Sequence, residues 1–137
     1  MISKNFIIEE FVPPGLYKLF GDKSIMYLSP KIICLVQSIR DYFGRRMTIN
    51  DWHHAGTFKN RGYRMPDCED GAFLSRHKLG MCIDFSIDGV SSCEVNIAVI
   101  TNSSKFYDMG ATVIEKNTVG WTHIGCETTG ESKLITI

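Results

Sequence analysis

The stretch Ser75-Arg76-His77-Lys78-Leu79-Gly80-Met81-Cys82-Ile83-Asp84-Phe85-Ser86-Ile87 decides how the rest of the chain is read. Within it Met81, Ile83, Phe85 and Ile87 alternate with Cys82, Asp84 and Ser86. That period of two predicts a strand with one face against a core. Asp84 therefore belongs to the face turned away from the core, and His77 lies at the entry to the strand. Gly80 suits a tight entry there, where a side chain would crowd a bound ion.

The upstream half reads as helical. Pro13 and Pro14 open a short helix through Leu16, Tyr17 and Phe20 that Gly21 ends. A longer helix takes Ser29 as N-cap and Pro30 as its first residue, carries Ile32, Leu35, Val36, Ile39 and Phe43 on one face, and stops at Gly44. Met47 and Ile49 make a short strand, and a long polar stretch from Asn50 to Ser75 follows; connections of that length are usually functional. Downstream, Ser91 and Glu94 form a capping box for a helix through Val95, Ala98 and Val99 that ends near Asn102. Ala111–Ile114, Val119–Ile124 and Leu134–Ile137 read as strands joined by turns at Asn117 and Gly130. Helices first and strands later predict a single α+β domain over residues 1–137, an antiparallel sheet with packed helices.

Composition narrows the function classes. The 137 residues carry 15 basic and 15 acidic side chains with no long run of either sign, which gives no footprint for nucleic acid or an anionic membrane. No segment approaches a membrane span, and acids and prolines interrupt the N-terminal apolar run before a signal sequence could form. The expectation is a protein that is cytoplasmic when synthesised. Five cysteines, at 34, 68, 82, 93 and 126, include no C-x-x-C pair, so reduced thiols are expected rather than a disulfide framework or a zinc finger. Cys34 and Cys82 fall on apolar elements and read as buried residues without chemistry.

The chemistry-bearing residues are His77, Asp84 and His123. An imidazole and a carboxylate on one strand, with a second imidazole in Trp121-Thr122-His123 on a neighbouring strand, provide the nitrogen and oxygen donors that zinc accepts. Three protein ligands leave a fourth position for water, as in catalytic zinc sites. Cys126 is a conceivable further ligand, with a plain thiol the simpler reading.

The full string resembles the S-x-H-x-x-G-x-A-x-D signature of the M15 family of zinc peptidases, with Cys82 in place of the small residue usual there. The resemblance covers nearly the whole chain. Glu10-Phe11-Val12-Pro13-Pro14, Thr48-Ile49-Asn50-Asp51-Trp52-His53, Arg61-Gly62-Tyr63-Arg64 and Trp121-Thr122-His123-Ile124 are similar to short, single-domain M15-type proteins of bacteriophages and prophages. It implies a fold like that of D-Ala-D-Ala peptidases and the hedgehog domain, zinc on His77, Asp84 and His123, and Arg64 facing a substrate carboxylate. Arg61, Ser75 and Trp121 are the other candidate substrate contacts, and His53 a candidate for orienting water or an oxyanion.

Hydrolysis at zinc also needs a general base. The resemblance places it at the third position before the last histidine, which here is Gly120; Gly125 likewise stands where an acid is common. The remaining candidates are Glu115 and Glu127. Along an extended strand Glu115 lies roughly 26 Å from His123, so only a hairpin can return it, whereas Glu127 needs a turn at Gly125. Asp51, Asp67, Glu69 and Asp70 read as solvated loop charges. The function expected is zinc-dependent cleavage of an amide bond in peptidoglycan stem or cross-link peptides by a phage-encoded protein released through the lysis machinery. The rival is an inactive zinc-stabilised module of a virion or tail, bound to cell wall or to other virion proteins.

Overall fold

The computed structural model describes residues 1–137. Its helices start and stop where the sequence places their caps. Helix α1 (Pro14–Phe20) ends on Gly21 at φ 55°, and α2 (Pro30–Phe43) begins with the Ser29 hydroxyl accepting from the Lys31 amide and ends on Gly44 at φ 64°. Glycine is favoured at both ends because this backbone region penalises a Cβ. Ile32, Leu35, Val36 and Ile39 of α2 are buried. Cys34, expected among them, is exposed: at about 100° per residue it lies roughly 200° around the helix from Ile32, on the outer side.

Strand β1 (Met47–Thr48) is brief, and β2 (Cys82–Ile87) is the long strand of the sheet. Met81 stays outside it, where its carbonyl accepts the Cys126 amide. Helix α3 (Ser92–Thr101) opens on the Ser91/Glu94 capping box, and α4 (Ser103–Asp108) continues after Asn102 as a turn of helix that the periodicity did not signal. Strands β3 (Val113–Glu115), β4 (Thr122–Gly125) and β5 (Ile135–Thr136) complete a five-stranded sheet in the order β1-β2-β4-β3-β5.

The sheet is mixed, not wholly antiparallel. β5 pairs with β3 in parallel, Val113 opposite Ile135. The chain leaves β4 running against β3, turns through residues 126–134 and comes back on the far side of β3, so it must run in the direction of β3.

One face of the sheet carries Ile83, Phe85, Ile87, Ile114, Thr122 and Ile124, all buried. With the apolar face of α2, Val95 and Val99 of α3, and Phe6, Phe11 and Leu16 from the N-terminal segment, the apolar members of this face belong to a single core of 24 residues. The opposite face carries Cys82, Asp84, Ser86, His123, Gly125 and Glu115. Removal of its apolar surface from water holds the first face in place, and strand alternation then fixes what the second displays. No helix is long and apolar enough to cross a membrane.

Candidate metal centre

Register assembles the site. In the antiparallel ladder Asp84 lies opposite His123, and on the other side of β4 His123 lies opposite Glu115. Directly opposed residues share a sheet face with Cβ atoms about 5 Å apart. Asp84, His123 and Glu115 therefore form one row across β2, β4 and β3. The β3–β4 hairpin makes the return that an extended chain cannot, and the exposed Glu115 stands beside the histidine.

His77 reaches the row from the 3₁₀ turn Arg76–Leu79, capped by the Ser75 hydroxyl, which accepts from the His77 amide. His77 is 2% exposed and its Nδ1 lies 2.8 Å from the Gly62 carbonyl. A carbonyl only accepts, so Nδ1 donates to it, and in the neutral imidazole Nε2 is left with its lone pair. That Nε2 lies 3.4 Å from Asp84 Oδ1. Two buried lone-pair atoms facing one another require a proton or a cation between them. The separation is also close to the ~3.3 Å edge of a tetrahedron of nitrogen and oxygen ligands around zinc.

Asp84 is the hub. Its Oδ1 accepts from His123 Nδ1 at 2.7 Å and its Oδ2 from the Arg64 guanidinium at 3.1 Å. Burial works to raise its pKa, but the hydrogen bonds from His123 and His77 outweigh it and hold the carboxyl well below the ordinary carboxylate range. Asp84 is thus an anion with donors on both oxygens. Cys82, two residues earlier on the same strand face, is also buried. Its sulfur and one nitrogen each of His77 and His123 all lie within 4.8 Å of one another, so this buried group could hold a metal ion. Burial pushes the thiol pKa up in the metal-free protein.

Three glycines make room for this arrangement. A Cβ at Gly62 would run into the Phe11 carbonyl, so only glycine lets the 62 carbonyl approach His77. At Gly80, with φ 65°, the obstacle is the Tyr27 carbonyl rather than a metal, which corrects the reason given for that residue in the sequence. A Cβ at Gly125 would sit 3.1 Å from Glu127 Oε1 and 3.4 Å from Cys82 Cβ. Its absence lets Glu127 fold back beside Cys82, where Arg76 Nε donates to Glu127 Oε2 at 2.7 Å.

Gly120, at the position of the expected base, has φ 88° and open space where a Cβ would be. Its backbone is tied from both sides: its carbonyl accepts from the Ser86 hydroxyl and its amide donates to Ser92. A carboxylate residue there would need a backbone conformation that L side chains rarely adopt.

The other expected contacts are placed as follows. Arg64 is turned inward, its guanidinium also bonded to the Asn60 and Asp70 carbonyls. Arg61 stacks 3.6 Å over the Phe58 ring and donates to Ser86 Oγ. Both line an open cleft of about 270 Å³ with Lys59, Asp70 and Asp84. Trp121 is 40% exposed. Ser75 serves as the cap of the His77 turn. Asp51 accepts from the Phe58 amide and Asp70 from Asn60, so these two charges organise the long loop.

His53 is not brought to this site. It lines a different pocket with His54, Glu10, Arg40 and Arg46. Its Nδ1 is buried without a partner. Cys126 faces the core rather than the cluster. The residue that sequence reasoning missed is Cys82, taken as inert because it sits in an apolar run. The signal was present in its alternation with Asp84 and Ser86.

Comparison with family models, with curated proteins and with solved structures gives no match for this chain.

Proposed function

We propose that the protein is a zinc-dependent metallopeptidase that cleaves an amide bond in the stem or cross-link peptides of bacterial cell wall. The reading is carried by the facing pair His77 Nε2 and Asp84 Oδ1 with His123 hydrogen-bonded to the same carboxylate. These three side chains would hold the ion, with the Gly62 carbonyl fixing the His77 tautomer and Arg64 steadying Asp84, as outer partners of metal ligands do. Zinc supplies Lewis acidity and lowers the pKa of water toward ~7.

The chain's own residues do the rest. Glu115, opposite His123 on the open side of the row, is the proposed base: it takes the proton from the attacking water and returns it to the leaving amine. Glu127 is the weaker candidate because Arg76 already holds it. The cleft beside Asp84, lined by Lys59, Arg61 and Arg64, is suited to an anionic end of the substrate such as a peptide carboxylate. The resemblance to phage M15-type proteins supplies the substrate class and a phage source.

A second reading keeps the metal and drops the chemistry: a zinc-stabilised structural or binding module of a virion. It is favoured by glycine at position 120 and by the inward turn of Arg64. Digestion of purified peptidoglycan by the zinc-loaded protein, with products identified by mass and a chelated control, separates the two. Chelator-sensitive release of a defined stem peptide is the expected result. A protein that holds zinc and releases nothing would sink the peptidase and leave the module.

A further inference from the structure

We infer that Cys82 is a fourth protein ligand of the metal, so that the resting site is closed by a thiolate and not open to water. The inference rests on the metal binding proposed above, and it concerns the regulation of that same site.

Three observations converge on Cys82. It occupies the same face of β2 as Asp84, and residues two apart on a strand can reach one ion from that face. Its sulfur lies within 4.8 Å of a nitrogen of both His77 and His123. Nitrogen and sulfur sharing a tetrahedral zinc are ~3.6 Å apart, so small side-chain shifts bring the thiol into the shell. Finally, the residue opposite it on β4 is Gly125, which sets no side chain of its own against Cys82; the neighbour there is the Glu127 carboxylate, which Arg76 holds.

Coordination replaces the S–H bond of Cys82 with a metal–sulfur bond, and the proton passes to solvent. With His77, Asp84 and His123 the thiolate completes four ligands, the number found in structural zinc sites. A soft sulfur donor also biases the site toward zinc and cobalt over magnesium, calcium or manganese. Hydrolysis then requires the thiolate to give up its position, and Cys82 acts as a latch on the site.

X-ray absorption at the zinc edge of the full-length, zinc-loaded protein tests this. The expected spectrum contains one sulfur at ~2.3 Å in addition to nitrogen and oxygen at 2.0–2.2 Å. Cys82→Ala should lose the sulfur and bind zinc more weakly by more than the roughly 10–100-fold that loss of an outer partner costs, whereas Cys126→Ser should keep the sulfur. A wild-type spectrum with nitrogen and oxygen alone overturns the inference, and so does a sulfur lost with Cys126 and retained in Cys82→Ala. Failure to bind zinc at all overturns both this inference and the peptidase. Sulfur coordination without peptidoglycan cleavage leaves this inference standing and removes only the peptidase; cleavage without sulfur does the reverse.

Discussion

The protein has two histidine-bearing pockets, and they are built on different principles. His123 stands on β4 in register with Asp84, and His77 is clamped by the Gly62 carbonyl, so their positions follow from the ladder and from buried hydrogen bonds. His53 and His54 stack on one another in the 3₁₀ turn Trp52–His54, and the buried Nδ1 of His53 has no partner. The first pair converges on a shared carboxylate, His123 donating to it and His77 facing it across 3.4 Å. The second lies among Glu10, Arg40 and Arg46, with no such hub. The lesson is that histidine content alone does not suggest a metal site; a rigid frame that gathers imidazole nitrogens around a buried anion does.

The comparison breaks most decisively on metal content. His77→Ala and His123→Ala should each take bound zinc from about one equivalent to none, while His53→Ala keeps it; elemental analysis after desalting reads the result. If both cluster variants retain zinc, the ligand assignment fails. The next effect is on catalysis. Glu115→Gln should lower peptidoglycan turnover by about 10²–10⁴ with zinc content unchanged, and Glu127→Gln should lower it far less. The reverse order would move the base to Glu127.

Stability distinguishes the frame from its surroundings. Gly80→Ala places a Cβ against the Tyr27 carbonyl at φ 65° and should destabilise the metal-free protein by about 1–3 kcal/mol. Gly120→Ala, with φ 88° but open space, should cost less, about 1 kcal/mol. Urea titration of both variants measures the difference. Equal losses would mean that backbone strain alone, without the close approach, accounts for Gly80.

The smallest effect belongs to the second pocket. Burial, with His54 close by, lowers the pKa of His53 below the ordinary histidine value. A depressed histidine contributes stability that is present above its unfolded pKa of ~6.5 and is lost as pH falls through the folded value. His53→Gln should therefore flatten part of the stability loss of the metal-free protein below pH ~6.5. An unchanged pH profile would show that His53 titrates alike in both states.

Much of the fold was legible because its determinants are local. Ser29, Gly44 and the Ser91/Glu94 box bound α2 and α3 through hydrogen bonds between residues close in sequence. Helix α4 and the parallel pairing of β5 were not legible, since six residues give too short a pattern and a strand's direction depends on the path of the loop before it. Of the candidate site, residue types and faces could be read, and their partners could not. Arg64 was expected to face a substrate carboxylate, and its ion pair with Asp84 was not signalled by any spacing.

Local pattern alone places Asp84 and Cys82 on one strand face, His77 at the strand entry and His123 on another strand. Alternation and capping are set by covalent geometry and neighbouring residues. The assembled sheet is what makes Asp84, His123 and Glu115 one row, puts the Gly62 carbonyl on His77 Nδ1, and brings Cys82 within reach of both imidazoles. Those relations join residues far apart in the chain. Sheet register and close backbone approach bring them together, and burial of the opposite face of the sheet selects that register.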